Sequence, residues 1–135
     1  VRSLLDSLSG EPVERIDGAQ ISKLRDFAVA FVESCHRLIV TLGAQVHLHD
    51  PSIANTLDKA MQAFDATGRQ GFLVIDNIDT VIELQRTIEI EGPLRSVMQL
   101  HNDIAVILCG SNEIINDMVG RYERPFYMSF RVFRL

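Results

Sequence analysis

Two strand candidates in this sequence are apolar at every position: "FLVI", within "GFLVIDNID" from Gly71 to Asp79, and "IAVIL", within "IAVILC" from Ile104 to Cys109. A strand with one wet face alternates polar and apolar residues; these runs do not, so each needs cover on both faces. Helical patterns supply that cover. Ile21, Leu24, Ala28, Phe31, Val32, Cys35, Leu38, Ile39 and Leu42 trace one stripe that stops at Gly43. Asp50-Pro51 opens a second helix carrying Ile53, Leu57, Ala60, Met61 and Phe64. Gly92-Pro93 opens another with Leu94, Val97 and Met98, and Asn112 can cap one bearing Ile114, Ile115, Met118 and Val119. Helices alternating with fully apolar strands predict an α/β fold. Right-handed crossovers then place helices on both faces of a mainly parallel sheet, giving three αβα layers.

The remaining segments read less clearly. Val1, Leu4, Leu5 and Leu8 have helical spacing with no capping residue before them, so the chain reads as starting inside a helix. "VERID" is a strand candidate with poor alternation, "DTVIELQRTIEIE" is ambiguous, and "YMSFRVFRL" has the β-rich composition of a last strand. A length of 135 residues with 47% hydrophobic and 23% charged content matches one globular domain. A net charge of -5 without a basic run does not favour direct nucleic-acid binding, although Arg121, Arg124, Arg131 and Arg134 crowd the last fifteen residues. Cys35 and Cys109 lie far apart in apolar surroundings, which suits reduced thiols and sets the expectation of a cytoplasmic protein. No apolar run reaches the length of a membrane span.

Ligands of parallel sheets collect at the carboxyl ends of the strands. Asp76 stands at the end of one apolar strand, and Gly110-Ser111-Asn112 at the end of the other. A carboxylate facing a solvated crevice can hold a hydrated magnesium ion, whereas the same acid can also simply cap the next turn. Ser111 and Asn112 are both good helix caps as well.

"GFLVIDNID" resembles a Walker B strand. "LRSVMQLHNDIAVILCGSNEIINDMVGRYERPFYMSFRVFRL" is similar to the second half of the P-loop ATPase module of AAA+-like prokaryotic ATPases and the related STAND-type signal-transduction ATPases, with Gly110, Ser111, Arg124, Pro125, Phe126 and Tyr127 in that family's order. The resemblance implies that residues 1–135 are part of a P-loop NTPase-like sheet, from just after the Walker A loop to just before a lid domain, lacking the first strand and phosphate loop. That strand would lie between the strands containing Ile107 and Val132. It also implies ATP and Mg2+ as ligands, Asp76 as the metal residue, Asn77 and Ser111 beside the attacking water and γ-phosphate, and Asn112 as an alternative sensor. Arg121 and Arg124 precede the last strand where the family places an arginine finger; Arg124 is preferred, while arginines near a helix end also interact favourably with its dipole.

Two departures bear on activity. No G-x-x-x-x-G-K-[ST] occurs in the chain, and the residue after Asp76, usually an acid, is Asn77. An amide orients water but takes no proton; Asp79 is an acid two residues further on. Three readings follow: a nucleotide-driven ATPase or switch, a hydrolysis-deficient ATPase-like scaffold acting through self-association or protein partners, and an unrelated doubly wound domain such as a phosphoacceptor module using Asp76. The long helix before "FLVID" and the missing early acidic cluster count against the third. His47 and His49 share a face of "VHLHD" without the further ligands zinc wants, and Cys109 has no nearby base in sequence.

Overall fold

A computed structural model describes residues 2–8, 10–41, 66, 70–85, 90–100, 104–127 and 131–132. In chain order these form α1 (Arg2–Ser7), β1 (Val13–Asp17) with a 3-10 turn at Gly18–Gln20, α2 (Leu24–Thr41), β2 (Gly71–Asp76), α3 (Ile78–Leu84), α4 (Glu91–Leu100), β3 (Ile104–Leu108) and α5 (Asn112–Gly120). The fold is α/β. The three strands make one all-parallel sheet in the order β1-β2-β3, with Asp17 opposite Asp76 and Ile75 opposite Leu108.

Every described strand is apolar where burial demands it. Leu73 and Ile75 of β2 point to one face, where they join Ile16 of β1 and Phe27, Phe31, Cys35 and Leu38 of α2 in the main core. Val74, on the opposite face by the two-residue period of a strand, is equally buried, as a sheet covered on both faces requires. Ile78, Val81 and Ile82 of α3, Ile90 just before α4, Leu94 of α4, Met118 of α5 and Phe126 complete the core. Their spacing in α3 is i, i+3, i+4, which resolves the ambiguous "DTVIELQRTIEIE" as a helix over its first part.

"VERID" is a strand despite its poor alternation: β1 borders β2 on one side, so Arg15 stays exposed while Ile16 is buried. The expected α2 begins three residues later than its stripe, after Ile21. The expected helix after Asp50-Pro51 lies outside the described residues. So does most of "YMSFRVFRL"; its described members Tyr127, Arg131 and Val132 are not in a strand. The second edge of β3 has no strand partner among the described residues.

Candidate functional site

Asp76 is the last residue of β2, and its side chain is only 12% exposed. Both carboxylate oxygens are engaged. Oδ1 accepts the Asn77 backbone N–H at 2.9 Å, and Oδ2 accepts Arg15 Nη2 at 2.5 Å. That bond is the main cause holding the Arg15 guanidinium above its ordinary pKa. Burial of a carboxylate is tolerable only with such partners.

Asn77 has left-handed backbone angles, φ 51° and ψ 45°. Asparagine enters that region more readily than most side chains, so a backbone requirement accounts for an amide at this position. Its Nδ2 donates to Asp17 Oδ1 at 2.8 Å, and the same oxygen accepts the Ala19 N–H at 3.0 Å. These two bonds, the Asn77 amide first, hold the Asp17 carboxyl below its usual pKa. Gly18 lets β1 turn here at close range: a Cβ would strike the Asn77 carbonyl oxygen and come within 2.8 Å of that of Asp76.

The end of β3 is tied to this corner. Cys109 donates its N–H to the Ile75 carbonyl at 2.9 Å, and its own carbonyl accepts the Ile78 N–H at 3.0 Å. Asp79 Oδ1 accepts the Ser111 N–H at 2.9 Å. A Cβ on Gly110 would sit 2.5 Å from that carboxylate oxygen, so glycine is what permits the approach. Ser111, not Asn112, is the N-cap of α5; its hydroxyl oxygen accepts the Ile114 N–H at 3.2 Å. Burial, with a smaller contribution from the Asp76 carboxylate, pushes the Cys109 thiol pKa up and away from nucleophilic use.

Four of the residues singled out from sequence, Asp76, Asn77, Ser111 and Asn112, line one cavity of about 880 Å³ together with Asp79 and Arg131. Its floor is the Val106–Leu108 stretch of β3. The two other arginines stand elsewhere. Arg121 is exposed and pairs with Asp117 at 3.3 Å and Glu123 at 2.8 Å. Arg124 donates to Glu91 through Nε at 3.0 Å and Nη2 at 2.7 Å, and to Asp117 through Nη1 at 2.7 Å. A finger role for Arg124 therefore requires releasing two carboxylates.

Among the described residues no three His, Cys, Asp or Glu side chains gather as a metal cage. His47 and His49 lie outside those residues. The donor set at the strand end is one low-exposure carboxylate, Asp76, bordering the cavity with Asp79 beside it. A magnesium ion, which keeps several waters and binds through one or two carboxylates plus phosphate oxygens, would need one Asp76 oxygen released from its present donor. Sequence reasoning missed Arg131 on the lining of this cavity and Arg15 as the partner of Asp76. The alternation placing Arg15 and Asp17 on one face of "VERID" was visible, but strand adjacency was not. No described helix is long and apolar enough to cross a membrane. No protein-family model matches the chain, and no curated protein matches it.

Proposed function

We propose that this chain supplies the magnesium and sensor side of an ATP-binding P-loop ATPase or nucleotide-driven switch. One observation carries the reading: Asp76 and the Gly110-Ser111-Asn112 turn leave adjacent parallel strands and border the same cavity. Asp76 would hold a water-coordinated Mg2+, which when bound offsets the charge of the phosphates. The amide of Asn77 and the hydroxyl of Ser111 would orient water and the terminal phosphate, with Asn112 beside them. The chain contains no G-x-x-x-x-G-K-[ST], so the loop that wraps the phosphates has to come from elsewhere in the protein.

The alternative reading, a hydrolysis-deficient scaffold or regulatory interaction domain, draws on Asn77. Its side chain takes no proton, and its Nδ2 is committed to Asp17. Calorimetric titration of the full-length protein with ATP, with and without Mg2+, tests the first reading. Asp76→Ala is expected to remove the magnesium-dependent part of binding. Equal magnesium dependence in wild type and variant would refute the assignment of Asp76. Magnesium-dependent binding with no turnover would favour the scaffold.

A further inference from the structure

Arg15 holds an unusual place at this corner. It lies on β1 opposite Val74, two residues before Asp17, so Arg15 and Asp17 share one face of the strand. Its guanidinium reaches along that face to the strand ends and lies between two carboxylates. Nη2 is 2.5 Å from Asp76 Oδ2 and 3.9 Å from Asp17 Oδ2.

The two oxygens of Asp76 differ in what would release them. Oδ1 is held by a backbone N–H that is fixed by the start of α3. Oδ2 is held by a long side chain that is 41% exposed and has solvent beside it. An incoming cation therefore competes with Arg15 for Oδ2. A divalent ion and a guanidinium on one carboxylate oxygen repel each other, so a cation at Oδ2 weakens the hold of Arg15 there. Asp17 offers the displaced group a second acceptor close by, since its Oδ1 takes the Asn77 and Ala19 donors while Oδ2 faces Arg15.

We propose that Arg15 is an exchangeable counter-ion, neutralising Asp76 while no divalent cation is bound and moving to Asp17 when a hydrated cation takes Asp76 Oδ2. The role rests on the reading of Asp76 as a cation residue. It gives the protein a built-in threshold: cation binding has to overcome a native ion pair, and the buried carboxylate never lacks a positive partner.

Mn2+ alone, followed by electron paramagnetic resonance of the free ion, reads this directly on the purified chain. Arg15→Gln is expected to tighten Mn2+ binding about tenfold, because a partly exposed competing pair is gone. Asp17→Asn removes the receiving acid and is expected to weaken binding about threefold. Arg15→Lys keeps a positive charge but loses the planar guanidinium that places Nη2 between both acids, so it tightens binding by a smaller factor and covers the case in which Arg15→Gln fails to fold. Asp76→Asn abolishes the binding in every background. If Asp76-dependent binding exists and neither Arg15 variant changes it, the exchange is wrong while the cation reading stands. If no variant shows Asp76-dependent Mn2+ binding, both fall.

Discussion

Truncating Arg124 tests whether this arginine is part of the frame. Glu91, at the start of α4, is 1% exposed, and two side chains meet its carboxylate: Arg124 through two bonds of 3.0 and 2.7 Å, and Gln85 Nε2 at 2.5 Å. Arg124→Ala removes both charged bonds and leaves a buried anion with one neutral donor. Because Arg124 itself is only 17% exposed, water cannot replace it cheaply. Breaking one side of a buried pair costs about 3–5 kcal/mol. That is a fifth or more of the roughly 5–15 kcal/mol holding an ordinary domain together. In urea, with a slope of about 1.5–2 kcal/mol/M, the midpoint should fall by about 1.5–3 M. The double variant Arg124→Met with Glu91→Met leaves no orphaned charge between these two positions and is expected to recover most of the loss, because apolar packing often replaces a buried pair without penalty. A single-variant loss below about 1 kcal/mol, the worth of an exposed pair, would refute the clamp and free Arg124 for other work.

Three further outcomes are specific enough to measure. Gly18→Ala places a methyl group against two backbone oxygens that cannot rotate away, and denaturation should show a loss of about 1–3 kcal/mol. Asn77→Glu in the full-length protein should raise steady-state ATP hydrolysis by adding a proton acceptor beside Asp76, at a cost of about 1–2 kcal/mol for a glutamate in left-handed backbone; unchanged turnover with binding intact would argue against a water-polarising position there. Burial pushes the Cys35 thiol from 9.0 up to about 12, so between those values the folded state holds the proton that the unfolded chain has lost. Its contribution is complete below pH 9 and fades as pH rises towards 12, by about 1.4 kcal/mol per unit; Cys35→Ala should flatten that part of the stability curve.

Burial on both faces wrote the central strands into the sequence. β2 and β3 could only be continuous apolar runs, and α2, α4 and α5 carried stripes that their core contacts repeat. Local composition misled where a short helix is rich in β-branched residues: Thr80, Val81 and Ile82 favour strands, yet the left-handed turn at Asn77 and the burial of Ile78, Val81 and Ile82 decide for α3. The helix cap shifted by one residue because Ser111 and Asn112 are nearly equivalent caps and only the carboxylate of Asp79, fixing the Ser111 N–H, separates them. At the site, strand-end position brought Asp76, Asn77, Ser111 and Asn112 together on paper. Arg15 at Asp76, and Glu91 as the partner that holds Arg124 away from the cavity, were invisible because these pairs are 61 and 33 residues apart, and nothing local encodes which strand or helix end will be the neighbour.

The bond from Ser111 N–H to Asp79 Oδ1 joins the first turn of α3 to the cap of α5, while the Cys109 carbonyl, accepting the Ile78 N–H, fastens the same two loops a second time. Two separate attachments make a brace rather than a hinge. Slow exchange of the Asp76–Asp79 corner and of the Gly110–Asn112 turn should therefore share one rate in relaxation-dispersion measurements, on the microsecond to millisecond scale typical of collective loop motion. Cutting the side-chain attachment with Asp79→Ala would let the second loop relax on its own clock, so that a disturbance at one side of the cavity no longer arrives at the other.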